Sequence, residues 1–111
     1  QLIDRFDNKC AVTKTSIVSI LVASHIVPWS ESTEEERLDV NNGILLSPLY
    51  DALFDKHLIS FADNGSIIIS NKISHEMENL NIDTEGKITV EEEMKPFLSK
   101  HRNRLKGTGH V

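Results

Sequence analysis

The apolar positions come in short bursts separated by polar turns, and their spacing changes along the chain. Ser16 to Ala23 (Ser-Ile-Val-Ser-Ile-Leu-Val-Ala) is apolar and β-branched, which predicts a buried strand leading directly into Ser24-His25. Pro28-Trp29 ends it. Ser30 to Val40 is polar and acidic, and Ser32-Thr33-Glu34-Glu35-Glu36 is placed to cap a short helical turn. Asn41-Asn42-Gly43 is a turn signal, so Ile44-Leu45-Leu46 predicts a second strand. Ser47-Pro48 then supplies an N-cap and a proline for the first helical position. Leu49, Leu53 and Phe54 recur at i, i+4 and i+5, the mark of a short amphipathic helix from Leu49 to Lys56. The order is strand, turn, strand, helix.

Further on, Leu58-Ile-Ser-Phe61 and Ser66-Ile-Ile-Ile-Ser70 flank Asp63-Asn64-Gly65, which predicts a β-hairpin. Asp83-Thr-Glu-Gly86 marks another turn, before Lys87-Ile-Thr-Val90. Pro96 opens a last helix, from Phe97 to about Leu105. At the other end, Gln1 to Phe6 reads as the end of a short helix, as if the chain were cut from something longer. No repeat or low-complexity linker divides the chain, so residues 1–111 are expected to form one domain.

Composition changes this picture in three places. The apolar stretches are too short to cross a bilayer, which argues against a membrane partner. A single cysteine, Cys10, excludes an internal disulfide and any CxxC zinc knuckle, and fits a reducing cytoplasm. The net charge of −5 argues mildly against a nucleic-acid partner, yet the charge is uneven. Acid concentrates at Glu31 to Glu36 and at Glu91 to Glu93. Lys95, Lys100, Arg102, Arg104 and Lys106 crowd a stretch with no acidic residue. That basic stretch either tracks phosphate or is a solvated helix end whose cations suit the helix dipole.

Four features carry candidate chemistry: Ser24-His25 ending a strand, Asn42 before Gly43, Asp51 on the following helix, and His101-Arg102 near the end. Phosphodiester hydrolysis needs a base for water, a divalent ion for the phosphate and a rigid frame. Histidine as a type accepts a proton near neutral pH. A carboxylate such as Asp51 suits a hard ion that keeps several of its waters.

The string Ala23-Ser-His-Ile-Val-Pro-Trp29, followed by Asn42-Gly-Ile-Leu-Leu-Ser-Pro-Leu-Tyr-Asp-Ala-Leu-Phe-Asp55, resembles the signature of the HNH (ββα-metal) endonucleases. The likeness is strongest to the subgroup found in bacterial restriction and defence proteins. Cys10-Ala-Val-Thr13, Leu58-Ile-Ser-Phe61 and Phe97 to Arg102 extend it more weakly. The resemblance implies an α+β fold: a ββα-metal core with an added β-hairpin and a C-terminal helix. It implies cleavage of DNA with one divalent ion, Mg²⁺ or Mn²⁺. His25 matches the general base and Asn42 the asparagine that braces the loop and orients that histidine. Asp51 falls where the family has its metal ligand on the helix, and Asp55, one helical turn on, lies within reach of the same ion.

Two departures accompany the match. Many relatives carry an aspartate or histidine directly before the base, where this chain has Ser24, a poor ligand. Paired cysteines are absent, so packing alone must supply the frame. His57, where relatives often have glycine, is expected to cap the helix. Lys100, His101 and Arg102 are candidate nucleic-acid contacts, with packing of the last helix as the rival explanation for Arg102. Trp29 is expected to pack on the motif. A single-metal site cuts one strand, so double-strand cutting would need a homodimer or repeated action. Target recognition would belong to another domain of the parent chain. Ser24 and the acidic net charge also leave open a catalytically weak ββα module that binds DNA or a partner protein.

Overall fold

The computed structural model describes residues 10–14, 20–28 and 31–105. Its first pair of strands, β1 (Val22–His25) and β2 (Gly43–Leu46), is antiparallel, with Val22 opposite Leu46, Ser24 opposite Ile44 and His25 opposite Gly43. All four residues of β2 are buried, whereas β1 is half-exposed. The Leu45 carbonyl also accepts the Ala11 N–H at 2.8 Å, which draws Cys10 and Ala11 into the core. Part of the strand expected from Ser16 lies outside the described residues. Ile20 and Leu21 precede β1, and Ile20 stays exposed.

The connection from β1 to β2 contains α1 (Glu34–Leu38) and a 3₁₀ turn over Val40–Asn42. Thr33 and Glu36 form the reciprocal capping box expected there: the Thr33 hydroxyl accepts from Glu36 N–H, and the Glu36 carboxylate accepts from Thr33 N–H. Helix α2 (Pro48–Asp55) follows β2 at once, with Ser47 extended before it and Pro48 in its first turn. It buries Tyr50, Leu53 and Phe54 against β1, β2 and the next strand, β3 (Ile59–Phe61).

His57 ends α2 in the left-handed region, at φ 58°. Its N–H donates to the Phe54 carbonyl at 3.1 Å, and the Leu58 N–H reaches back to Leu53 at 2.9 Å. This paired bonding satisfies the last carbonyls of α2, as a glycine usually does at such a position. The expected cap is therefore made by the His57 backbone. Its ring is buried.

Strand β3 pairs antiparallel with β4 (Ile67–Ile69), Ile59 facing Ile69 and Phe61 facing Ile67. Gly65 closes the hairpin at φ +91°, and a Cβ there would lie 2.0 Å from the Ile88 carbonyl oxygen, so only glycine fits. Gly86 to Ile88 runs along β4 through one bridge and two hydrogen bonds rather than a full strand. After β4 comes a segment without a clear sequence signal: a 3₁₀ turn over Asn71–Glu76 and α3 (Met77–Leu80). A 3₁₀ turn over Glu92–Met94 leads into α4 (Lys95–Arg102), which packs on β3. This last helix begins two residues earlier and ends about three residues sooner than its proline and apolar spacing predict.

Phe54, Phe61, Ile44, Leu46, Ile59, Met94 and Leu98 form the fully buried centre. The fold is α+β. Among the described residues, no helix is long and apolar enough to cross a membrane.

Candidate functional site

Asn42 is fully buried and organises the loop that follows β1. Its Oδ1 accepts the Val27 N–H at 2.7 Å, and its Nδ2 donates to the Glu36 carbonyl at 3.1 Å and to Ser32 Oγ at 3.3 Å. The Asn42 backbone carbonyl also accepts the Ile26 N–H at 2.9 Å. These bonds tie the two residues after His25 to α1. An amide suits the post because it offers an acceptor and two donors at one buried point.

His25 lies half-buried at the end of β1, and its Nε2 sits 3.2 Å from the Arg37 carbonyl oxygen. A carbonyl only accepts, so Nε2 carries the proton in this contact. In the neutral ring the lone pair then belongs to Nδ1. Asn42 fixes the loop, α1 presents the Arg37 carbonyl, and that carbonyl sets the tautomer of His25. These contacts link Asn42 to the carbonyl beside His25 through backbone.

Asp51, in the first turn of α2, accepts a short hydrogen bond on Oδ1 from the Ser24 hydroxyl. Ser24, His25, Asp51 and Asp55 all line one open depression, together with Val22, Ala23 and Pro28. The packing of α2 on β1 therefore brings together His25 and both carboxylates singled out from sequence. Trp29 lies outside the described residues.

The chemistry of the donor set bears on a metal. Asp51, Ser24 and Asp55 offer only oxygen atoms, which suits a hard ion such as Mg²⁺ that retains water. Among the described residues, no group of three or more His, Cys, Asp or Glu is arranged to hold an ion. The fit is to a lightly held, largely hydrated ion, not to an all-protein cage.

The three basic residues at the end of α4 lie elsewhere in the chain's logic. His101 is buried, and its ring nitrogens are engaged internally. Nε2 donates to the Phe54 carbonyl at 2.8 Å, so Nδ1 accepts from the Ser60 hydroxyl at 2.8 Å. The ring stacks on Phe54 at 3.8 Å between centroids and on His57 at 4.3 Å. Burial lowers its pKa to about 4, against the raising effect of the Phe54 hydrogen bond, with the nearby His57 and Arg102 charges lowering it further. A nucleic-acid contact at His101 is therefore corrected: the ring is a neutral clasp between α4, α2 and β3.

Arg102 follows the packing alternative. Its guanidinium donates to the Phe61 carbonyl at 2.9 Å and pairs with Asp63 at 3.0 Å. Lys100 pairs with Glu36 at 3.2 Å, and Arg104 with Glu31. The basic helix thus meets the acidic segment of its own chain. Each partner lies far off in the chain, too far for any local spacing to reveal. The same holds for the Ser24–Asp51 bond and the Arg37 carbonyl, which sequence reasoning missed. His75 is exposed beside Glu76, and His110 lies outside the described residues.

A comparison with curated proteins gave no match. The family model of the HNH endonucleases matches residues 10–62, just under half of the chain and the part that contains β1, α1, β2, α2 and β3. That match supports the HNH family, and with it a nuclease in general, for the unit that carries His25, Asn42 and Asp51.

Proposed function

We propose that the chain is a metal-dependent DNA endonuclease module built on a ββα-metal core, working within a restriction or defence protein. The observation that carries this reading is the shared depression that His25, Asp51 and Asp55 line at the β1–α2 junction. His25 Nδ1 takes a proton from water, and the resulting hydroxide attacks phosphorus. The bond to the 3′ oxygen breaks as the new one forms. Arg37, through its carbonyl, keeps the His25 proton on Nε2, and Asn42 keeps that carbonyl in place.

Asp51 would hold the ion, with Asp55 one turn away as an outer partner and the Ser24 hydroxyl steadying the Asp51 carboxylate. Mg²⁺ or Mn²⁺ bound there supplies positive charge for the leaving oxygen. Recognition of a target would come from another domain of the parent protein in the cytoplasm. Two copies, as a homodimer, would cut both strands. A basic patch on α4 is not needed for this scheme.

Purified chain incubated with supercoiled plasmid and Mg²⁺ or Mn²⁺ tests the proposal. The expected result is nicked circles whose formation stops on chelation of the metal. Asp51→Ala should weaken Mn²⁺ binding measured by calorimetry; unchanged affinity would remove Asp51 from the site. A second reading, a catalytically weak module that binds DNA or a partner protein, is favoured by Ser24 and by the sparse ligand set. DNA binding without cleavage in any divalent metal would decide for it.

A further inference from the structure

Helix α1 carries the Arg37 carbonyl that meets His25, yet it buries none of its five residues. So short a helix is not stable by itself and normally takes its place from an apolar face packed on the core. Here no such face is buried, so hydrogen bonds must set where α1 lies. Several converge on one residue. Glu36 Oε1 accepts the Thr33 N–H at 2.8 Å, and the Glu36 N–H donates to Thr33 Oγ1 at 3.1 Å. Its Oε2 accepts from the Lys100 ammonium of α4 at 3.2 Å. Its carbonyl accepts from Asn42 Nδ2 at 3.1 Å and from the Asp39 N–H at 3.3 Å. The next carbonyl in the chain is the one that His25 Nε2 meets at 3.2 Å.

We infer that Glu36 is a positioning residue for His25: its carboxylate caps α1 and so holds the Arg37 carbonyl where it keeps the ring proton on Nε2. This rests on the nuclease reading and names a residue which that reading leaves unused. Glu36 acts through the helix and need not touch water, metal or phosphate. Its two side-chain partners favour the ionised carboxylate, the Thr33 N–H first and Lys100 after it, and hold its pKa below the ordinary value. The cap therefore persists through the pH range in which a histidine can serve as a base. Of the two partners, the Thr33 N–H lies in the first turn of α1 and fixes the helix directly, whereas the Lys100 pair is exposed and contributes little.

The test uses the full chain, supercoiled plasmid with Mg²⁺, and long-range proton–nitrogen spectra of the imidazole rings in mildly alkaline solution, where histidine is neutral. Glu36→Ala removes the cap but no buried side chain. It should lower kcat for nicking about tenfold and leave KM within about twofold, because geometry at the base is lost and substrate contact is not. The His25 ring nitrogens should move from a single Nε2–H form toward a mixture of both forms. Glu36→Gln keeps an acceptor for the Thr33 N–H, so it should return the His25 spectrum and bring kcat to within about twofold of native. Thr33→Ala opens the same cap from the other side and should move the spectrum in the same direction, which keeps the test decisive if Glu36→Ala does not fold. A native His25 spectrum in both alanine variants would overturn the inference, as would a loss confined to KM. Equal loss in Glu36→Gln would overturn it in favour of the Lys100 ion pair. The spectra need neither DNA nor metal, so they decide the inference even if the chain cuts nothing and the nuclease reading fails.

Discussion

The regions around His25 and around His101 use the same side chain for opposite ends. His25 stands at a half-exposed strand end, one nitrogen held by a backbone carbonyl, on the edge of an open depression. His101 lies in the core with both nitrogens engaged and an aromatic ring on each face. What separates a candidate base from a structural clasp is therefore access to the open depression. Residue type and nearby basic charge do not separate them.

The largest expected effect comes from exchanging these roles by mutation. His25→Ala should lower plasmid nicking by about 10²–10⁴-fold, the usual worth of a positioned base, with little change in unfolding midpoint. His101→Ala should do the reverse. It removes a buried ring and strands the Ser60 hydroxyl, at a cost of about 2–4 kcal/mol in stability. Nicking well below the new midpoint should stay within about threefold. Urea titrations beside plasmid assays on both variants would read the two effects separately.

Acid sharpens the same contrast. His101 has a folded-state pKa near 4, below the ordinary histidine value of 6.5, because burial disfavours its charged form. Between those two values the unfolded chain binds a proton that the folded chain refuses, so stability rises with pH. The contribution is fully present above about 6.5 and is lost as the pH falls to about 4, on the order of 3 kcal/mol in all. Urea midpoints measured from pH 7 to pH 4 should fall in the native chain and fall less in His101→Leu.

Asn42 stands between the two regions in size of effect. Asn42→Ala leaves the buried Val27 N–H without its partner, which should cost about 1–3 kcal/mol. Because the loop also presents the Arg37 carbonyl, nicking should drop even where the variant is folded. The smallest effect belongs to Lys100→Ala, which removes an exposed ion pair with Glu36. A shift of about 2 °C or less in unfolding midpoint, vanishing in high salt, is expected.

Local signals along the chain foretold local structure well. Thr33 and Glu36 announce α1 through their capping box, Ser47-Pro48 announces α2, and Asp63-Asn64-Gly65 announces the β3–β4 hairpin. His25 and Asp51 stand out as candidates because their motif spacing is short enough to be seen in one string. The burial of His101 was not legible, because Phe54, Ser60 and His57 reach it across more than forty residues. A basic run on a short amphipathic helix looks the same whether its cations meet phosphate or the chain's own carboxylates. Asn71 to Leu80 carried too little periodicity to announce a 3₁₀ turn and a single helical turn.

The central claim is that His25 delivers the proton-accepting nitrogen, and chemical rescue tests it most directly. Plasmid nicking by His25→Ala in Mg²⁺ or Mn²⁺ would be followed with and without added imidazole, alongside Asp51→Ala as a comparison. The account predicts that nicking collapses in both variants and that imidazole restores part of it in His25→Ala alone. Nicking by His25→Ala at the native rate would contradict the account.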